Sequence, residues 1–520
     1  MEGYHLKSLV IIIAFMVICI QLTNAYDDLP CEAHAVANRS VICRCTAQYC
    51  DTVIREVPAE GEIITYTSSD SGLRFYKESS RFEDSESFDN SLVYNLDPEI
   101  KYQTINGFGG AITDSTGLNW QNLTDPALKQ NLINSYCSDK GIEYSMLRVP
   151  IGGSDFSPKF YAYNEYPKGD KKLSNFTLRP EDYTYKLPFI KACMEVARED
   201  IHMVGTCWSP PTWMKVLHNY TGVNYLRKEY YWTYAEYHRK FVDAYMKEGV
   251  PIWGVTTTNE PLTSIANIGP INSLGWTTSS MANWIADYFG PVMKKHHPDV
   301  KLLGVDDQRS AIPIWLNLVA LRRPEVLNYL DGIAVHFYFD QFITADTIPL
   351  TLKQYPQLFA LATEASFGAI ADIKVDWGSW ERAASYAKDI IEDLNVDMIG
   401  WLDWNMVLNS QGGPVLNQNY CDAPIIVKPE EGAFYKQPMF YSMGHFAKFL
   451  SRGSRRIKLE TSAKCDNVYS VAALTPNNSI VVVFNNMETF EVAVTLNLRG
   501  KYAQIKLPPS SFVTAEFNNE

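Results

Sequence analysis

The chain predicts an α/β fold: a (β/α)8 TIM barrel with an associated β-sandwich domain built from both chain termini and a small disulfide-bonded N-terminal subdomain. Three observations carry that expectation. Between Ile105 and Trp404 short apolar runs alternate with longer amphipathic stretches, the rhythm of repeated strand–helix units around a parallel sheet. The strands number eight, which favours a closed barrel over an open doubly wound sheet. Outside that span the rhythm changes to short β-type runs separated by turn residues.

At the N-terminus Lys7 precedes an apolar run over residues 9–20, and Thr23-Asn24-Ala25 ends in the small residue that signal peptidase favours, so residues 1–25 read as a signal peptide. The run is too short for the roughly 20 residues that span a bilayer. No transmembrane segment is therefore expected in the mature chain. Of the ten cysteines Cys19 leaves with the leader, so nine remain and at least one lacks an intrachain partner. Cys31, Cys43, Cys45 and Cys50 crowd into residues 26–54, as a disulfide framework would in a secreted chain; a zinc site is the competing reading. Secretion also gives meaning to the Asn-x-Ser/Thr acceptors at Asn38, Asn122, Asn175, Asn219 and Asn477.

Residues 55–100 together with 442–520 are assigned to the β-sandwich, on β-type runs at 63–66, 73–76, 468–472, 480–484, 490–498 and 512–517. Residues 101–441 form the barrel. Its strands end at residues 107–110, 147–150, 205–208, 257–260, 304–307, 335–338, 361–364 and 401–404, with residues 230–247 and 380–394 among the outer helices. Strand C-termini share one mouth in such a barrel, so the Asp, Asn, Trp, His and Glu gathered there point to a single pocket.

With 46 Lys plus Arg against 59 Asp plus Glu the formal charge is −13, and losing Glu2 and Lys7 leaves it unchanged. That makes nucleic acid an unsuitable partner. Gly107-Phe108-Gly109-Gly110 lacks the Gly-Lys-Ser/Thr of a phosphate loop, and neither a Gly-x-Ser-x-Gly elbow nor a His-Glu-x-x-His pair occurs. What remains is a carboxylate pair at the mouth: Glu260 in Thr258-Asn259-Glu260-Pro261 and Glu364 in Ala362-Thr363-Glu364-Ala365. A retaining glycosidase needs an acid to protonate the leaving oxygen and a carboxylate to attack the anomeric carbon, roughly 5 to 5.5 Å apart. Two carboxylates and water complete that chemistry, so no cofactor or metal is expected. For the acid/base pair to work, Glu260 is expected to titrate above Glu364, pushed up by the neighbouring negative charge. Trp208, Tyr338 and Trp404 are candidates for stacking on sugar faces, Asp114, Asn259 and Asn419 for binding hydroxyls, and His336 for either substrate binding or a buried supporting role. Asp306-Asp307-Gln308-Arg309 reads as an ion-pair cluster beside the pocket.

The chain resembles glycoside hydrolase family 30 over nearly its whole mature length. The likeness rests on the four-cysteine N-terminus, Gly107-Phe108-Gly109-Gly110-Ala111-Ile112-Thr113-Asp114, Asp306-Asp307-Gln308-Arg309, Trp401-Leu402-Asp403-Trp404-Asn405 and Phe434-Tyr435-Lys436-Gln437-Pro438. It implies a retaining β-glucosidase acting on glucosylceramide in a lipid surface, with Glu260 as acid/base and Glu364 as nucleophile. Asp114, Trp208, Asn259, Trp404 and Asn419 would contact glucose, and Cys31 would pair with Cys43 and Cys45 with Cys50. The same resemblance implies a lysosomal destination, with secretion as the alternative, and a saposin-like activator protein. The sequence departs from the family at Thr206-Cys207-Trp208-Ser209-Pro210-Pro211 and in a shorter loop after Glu364, Phe367-Gly368-Ala369-Ile370-Ala371-Asp372, which lacks a tryptophan. Both departures bear on the entrance. A soluble β-glucoside or β-xyloside is the alternative substrate, and a silent glycan- or lipid-binding protein the alternative class.

Overall fold

The computed structural model describes residues 28–84, 91–266, 270–369, 371–461, 463 and 465–520. The expected signal peptide lies outside them. Eight parallel strands close into a barrel: β1 Gly107–Ala111, β2 Met146–Pro150, β3 His202–Thr206, β4 Ile252–Thr256, β5 Lys301–Gln308, β6 Gly332–His336, β7 Phe359–Glu364 and β8 Met398–Asn405. Each strand pairs with its neighbours in sequence, and β8 closes on β1 with Trp401 opposite Phe108. All eight expected strands are present. Helices Tyr231–Lys247 and Trp380–Asn395 pack outside, the second burying Ala383, Ala387, Ile390, Ile391 and Leu394 along one face.

The barrel interior is layered. Met146, Val204, Leu303, Ala334, Leu361 and Leu402 fill its floor as one apolar cluster. Higher up, Arg148, Thr206, Thr256, Asp306 and His336 are all fully buried, so polar groups replace the apolar layer towards the mouth.

A nine-stranded sheet forms the second domain, with Glu62–Ser69, Tyr76–Arg81 and Leu92–Thr104 from the N-terminal side and six strands between Arg455 and Asn518. In Ser479–Asn486, Ile480, Val482 and Phe484 enter the sandwich core, while Val481 and Val483 join the main core that includes the barrel. Alternation of side chains thus makes this strand buried on both faces. The run expected at 73–76 is mostly turn; the strand begins at Tyr76, because Phe75 takes a positive φ of 47°.

Cys31–Cys43 and Cys45–Cys50 are disulfides, as is Cys137–Cys193, which ties helix Pro126–Cys137 to helix Leu187–Val196. The N-terminal subdomain does not stand alone. Ile42–Cys45 pairs with Ala433–Lys436 in a five-stranded sheet whose other strands include Ile425–Lys428 and Val407–Asn409. Lys436 and Tyr441 both reach Asp51, at 2.9 and 2.7 Å. Asn38, Asn122, Asn175, Asn219 and Asn477 are all exposed.

Candidate active site

Local backbone geometry aims the key groups inward. A register shift between β5 and β6, at Val305 to Asp307, inserts Asp306 into the barrel, and both Val305 and Asp306 carry positive φ (72° and 51°). Such a bulge re-aims a side chain, and a β-branched residue in this region is strained. Glu260, just beyond β4, also has a positive φ of 39°, and its N–H donates to the Asp306 carbonyl at 2.8 Å. Two unfavourable turns are therefore locked together at the position of one carboxylate.

An oxygen of Glu260 and an oxygen of Glu364 lie within 4.8 Å of each other. Glu364 accepts from Arg148 Nη1 and, at 2.7 Å, from the Tyr338 hydroxyl. Arg148 Nη2 also donates to Asn259 Oδ1 at 2.8 Å and Asp306 Oδ2 at 3.0 Å, so one fully buried guanidinium fixes both sides of the mouth. Glu260 accepts from Thr263 at 2.7 Å and from Gln308 Nε2 at 2.9 Å, and faces His336 Nδ1 at 2.9 Å. His336 Nε2 meets Asp306 Oδ1 at 3.1 Å. With both ring nitrogens against carboxylates, His336 serves as a double donor; neither nitrogen is left as a metal ligand, although Glu260, His336 and Glu364 are close enough to surround an ion.

Burial disfavours a charge on His336, but Glu364, Asp306 and Glu260 outweigh it and push its pKa up to about 10. The consequence reverses one expectation. Burial works to raise Glu260, yet the hydrogen bond and charge of His336 prevail and hold it below its usual value. The supposed upward push from Glu364 is overcome by an imidazolium in direct contact. Asp306 is held far below the carboxylate range against its burial, by Arg148 and then His336.

Trp208 and Trp404 stack at 5.0 Å with 19° between planes, and Arg148 lies 4.8 Å from the Trp208 ring centroid. They are 2% and 3% exposed, at the base of the mouth. Tyr338, His336 and Asn259 touch the carboxylate network directly. Asn419 sits on the loop that brings Cys421 into the apolar cluster containing the two tryptophans. Asp114 behaves differently: it is buried against the Tyr161 hydroxyl at 2.9 Å and Lys186 at 4.0 Å. The carboxyl that feels both glutamates is Asp155, which burial, then Glu364, then Glu260 push up to about 7. Arg148, Asp155 and Thr263 were not among the expected site residues. Arg148 had a readable signal, a cation inside the apolar run of β2. The expected Asp306–Arg309 cluster divides: Asp306 and Gln308 enter the site, Asp307 caps Leu262 N–H at 3.0 Å, and Arg309 points outward to other acids.

Residues 105–450 match the Glycosyl hydrolase family 30 TIM-barrel domain, and residues 453–515 the Glycosyl hydrolase family 30 beta sandwich domain. The chain belongs to glycosyl hydrolase family 30. Among family relatives, the mouse lysosomal acid glucosylceramidase is 38% identical over 91% of this chain and 92% of its own. Endo-1,6-beta-D-glucanase neg1 of Aspergillus fumigatus is 27% identical over 79% of this chain and 84% of its own. SrfJ from Salmonella typhimurium shares the fold, with a TM-score of 0.80 at 22% identity over 88% of this chain and all (100%) of its own. Like others of family 30, the chain is a glycoside hydrolase with a barrel and an attached sandwich.

Proposed function

We propose that this glycoside hydrolase is a retaining β-glucosidase that cleaves glucosylceramide to glucose and ceramide, with Glu364 as nucleophile and Glu260 as acid/base. The observation that carries the reading is the carboxylate spacing. Oxygens within 4.8 Å suit direct attack by one carboxylate, whereas an inverting enzyme leaves roughly 6.5 to 9.5 Å between carboxyls for a water. Arg148 and Tyr338 orient Glu364 towards the anomeric carbon. Glu260, held in place by Thr263 and Gln308, gives its proton to the ceramide oxygen as the glycosidic bond breaks. Glu260 then takes a proton from water, which attacks the glycosyl-enzyme and releases Glu364.

The lipid substrate is supported by the mouse relative's name and by Val216 and Leu217, which stand exposed on the loop after β3, on the mouth side of the barrel. A lysosomal setting reached by secretion, occupied sequons and a saposin-like activator belong to the same reading. Among the described residues no helix is long and apolar enough to cross a membrane. The test is hydrolysis of glucosylceramide in anionic lipid at about pH 5, beside a soluble β-glucoside, by wild type and Glu364→Gln. Lipid turnover lost in the variant supports the proposal. Turnover of the soluble glycoside alone moves the function to another β-glycosidase on the same fold, the reading in keeping with the glucanase relative.

A further inference from the structure

Outside the site, Arg309 collects three acids. Its Nη2 lies 2.9 Å from Asp340 Oδ2, 3.3 Å from Asp389 Oδ1 and 2.7 Å from Asp393 Oδ1. Arg309 is fully buried and the three carboxyls nearly so. One guanidinium against three carboxylates leaves two negative charges on nearly buried side chains, an arrangement that favours protonation or another cation. Among the described residues, the cations lining the cavity beside Asp340 are already paired: Lys388 with Glu392 at 3.2 Å, Arg456 with Asp397 at 2.6 Å and Lys458 with Glu460 at 2.9 Å. Helix Trp380–Asn395 brings Glu392 as a further acid, and β8 contributes the Trp401 indole, which donates to Asp389 Oδ2 at 2.9 Å.

Two details identify where a proton belongs. Asp340 Oδ1 is buried with no hydrogen-bond partner, and oxygens of Asp340, Asp389 and Asp393 lie within 4.8 Å of one another. Bare carboxylates only accept, so neighbouring acids can bond to each other only if one of them carries a proton. A metal is the poorer answer, because Arg309 Nη2 already occupies the point shared by the three acids.

Asp340 also has a place in the chain that matters. It follows Tyr338 by two residues, its N–H donates to Phe337 O at 2.9 Å, and Arg309 Nη1 donates to Ile343 O at 3.0 Å. Arg309 and Asp340 therefore anchor the loop that leaves β6, and that loop carries the hydroxyl bound to Glu364.

We propose that Asp340 is kept as a neutral carboxylic acid donating to Asp389, and that this bond positions Tyr338 on Glu364. The functional half rests on Glu364 being the nucleophile; the protonation does not. Burial, with Asp389 and Asp393 behind it, pushes Asp340 up to about 10 against the pull of Arg309. A native value above the unfolded one lends stability that is complete below the unfolded pKa and fades as pH rises towards the native value.

Asp340→Asn and Asp340→Ala separate the possibilities, with Tm followed from about pH 5 to 10 and kcat and KM measured on a soluble glucoside. The amide supplies the same donor, so Asp340→Asn should keep kcat within about twofold. Its Tm should also lose less than wild type towards alkaline pH. Asp340→Ala should lower kcat by about tenfold to a hundredfold with KM little changed, the effect of a displaced catalytic contact. Equal damage by Asn and Ala, or identical alkaline Tm curves for wild type and Asn, overturns the proposal. So does a Tm raised by calcium and lowered by chelator in wild type but not in Asp340→Asn, which assigns the cluster to a metal. If Glu364→Gln remains active the nucleophile assignment fails, and the Tm curves still decide the protonation.

Discussion

At the scale of single residues, the two glutamates differ by the company they keep. Glu364 accepts from a buried guanidinium and a phenol, whereas Glu260 faces an imidazolium, an amide and a hydroxyl. Glu364→Gln should lower turnover by more than about a thousandfold with an unchanged Tm, as expected when one member of a catalytic unit is removed. Loss through Glu260→Gln should depend on the leaving group: about a hundredfold or more for a lipid alcohol and much less for an acidic phenol. Because His336 holds Glu260 down, His336→Gln should move the alkaline limb of kcat/KM to higher pH. A limb that stays or falls would contradict the pairing. The glutamates were legible because each stands at or just past the C-terminal end of a barrel strand, where the mouth lies. Asp155 was harder: it follows a barrel strand, and sequence alone does not tell that its carboxyl comes near both glutamates.

At the scale of elements, what the sequence hid follows from exposure and chemistry. Arg455–Thr461 and Lys501–Leu507 mix polar and charged residues with apolar ones, and the second buries only alternate residues, so they lack the continuous apolar runs of the barrel strands. Leu92–Thr104 ends in exposed, polar residues as it leaves the sandwich for the barrel. The Cys137–Cys193 pairing was unreadable because spacing does not set connectivity. It closes a separation of 56 residues between two helices. Replacing both cysteines with alanine should cost up to about 4 kcal/mol, on the chain-entropy model. Urea unfolding measures that loss, and activity at low temperature should survive it, since neither cysteine touches the site.

At the scale of the whole molecule, Ser479–Asn486 belongs to two cores at once, so barrel and sandwich should unfold in a single calorimetric transition. Val483→Asp would place an unpaired charge in the shared core, and activity should fall together with sandwich structure. Two separate transitions in the wild type would show that the shared strand does not couple them. The pairing of Ile42–Cys45 with Ala433–Lys436, and of Glu62–Ser69 with Ser511–Asn518, has a further consequence during synthesis. At about 5–20 residues per second, the early strands wait tens of seconds for partners made near the end of the chain. Through that interval their edges and cysteines are open to wrong partners, so the nascent chain depends on chaperones and disulfide exchange until its last strand has been made.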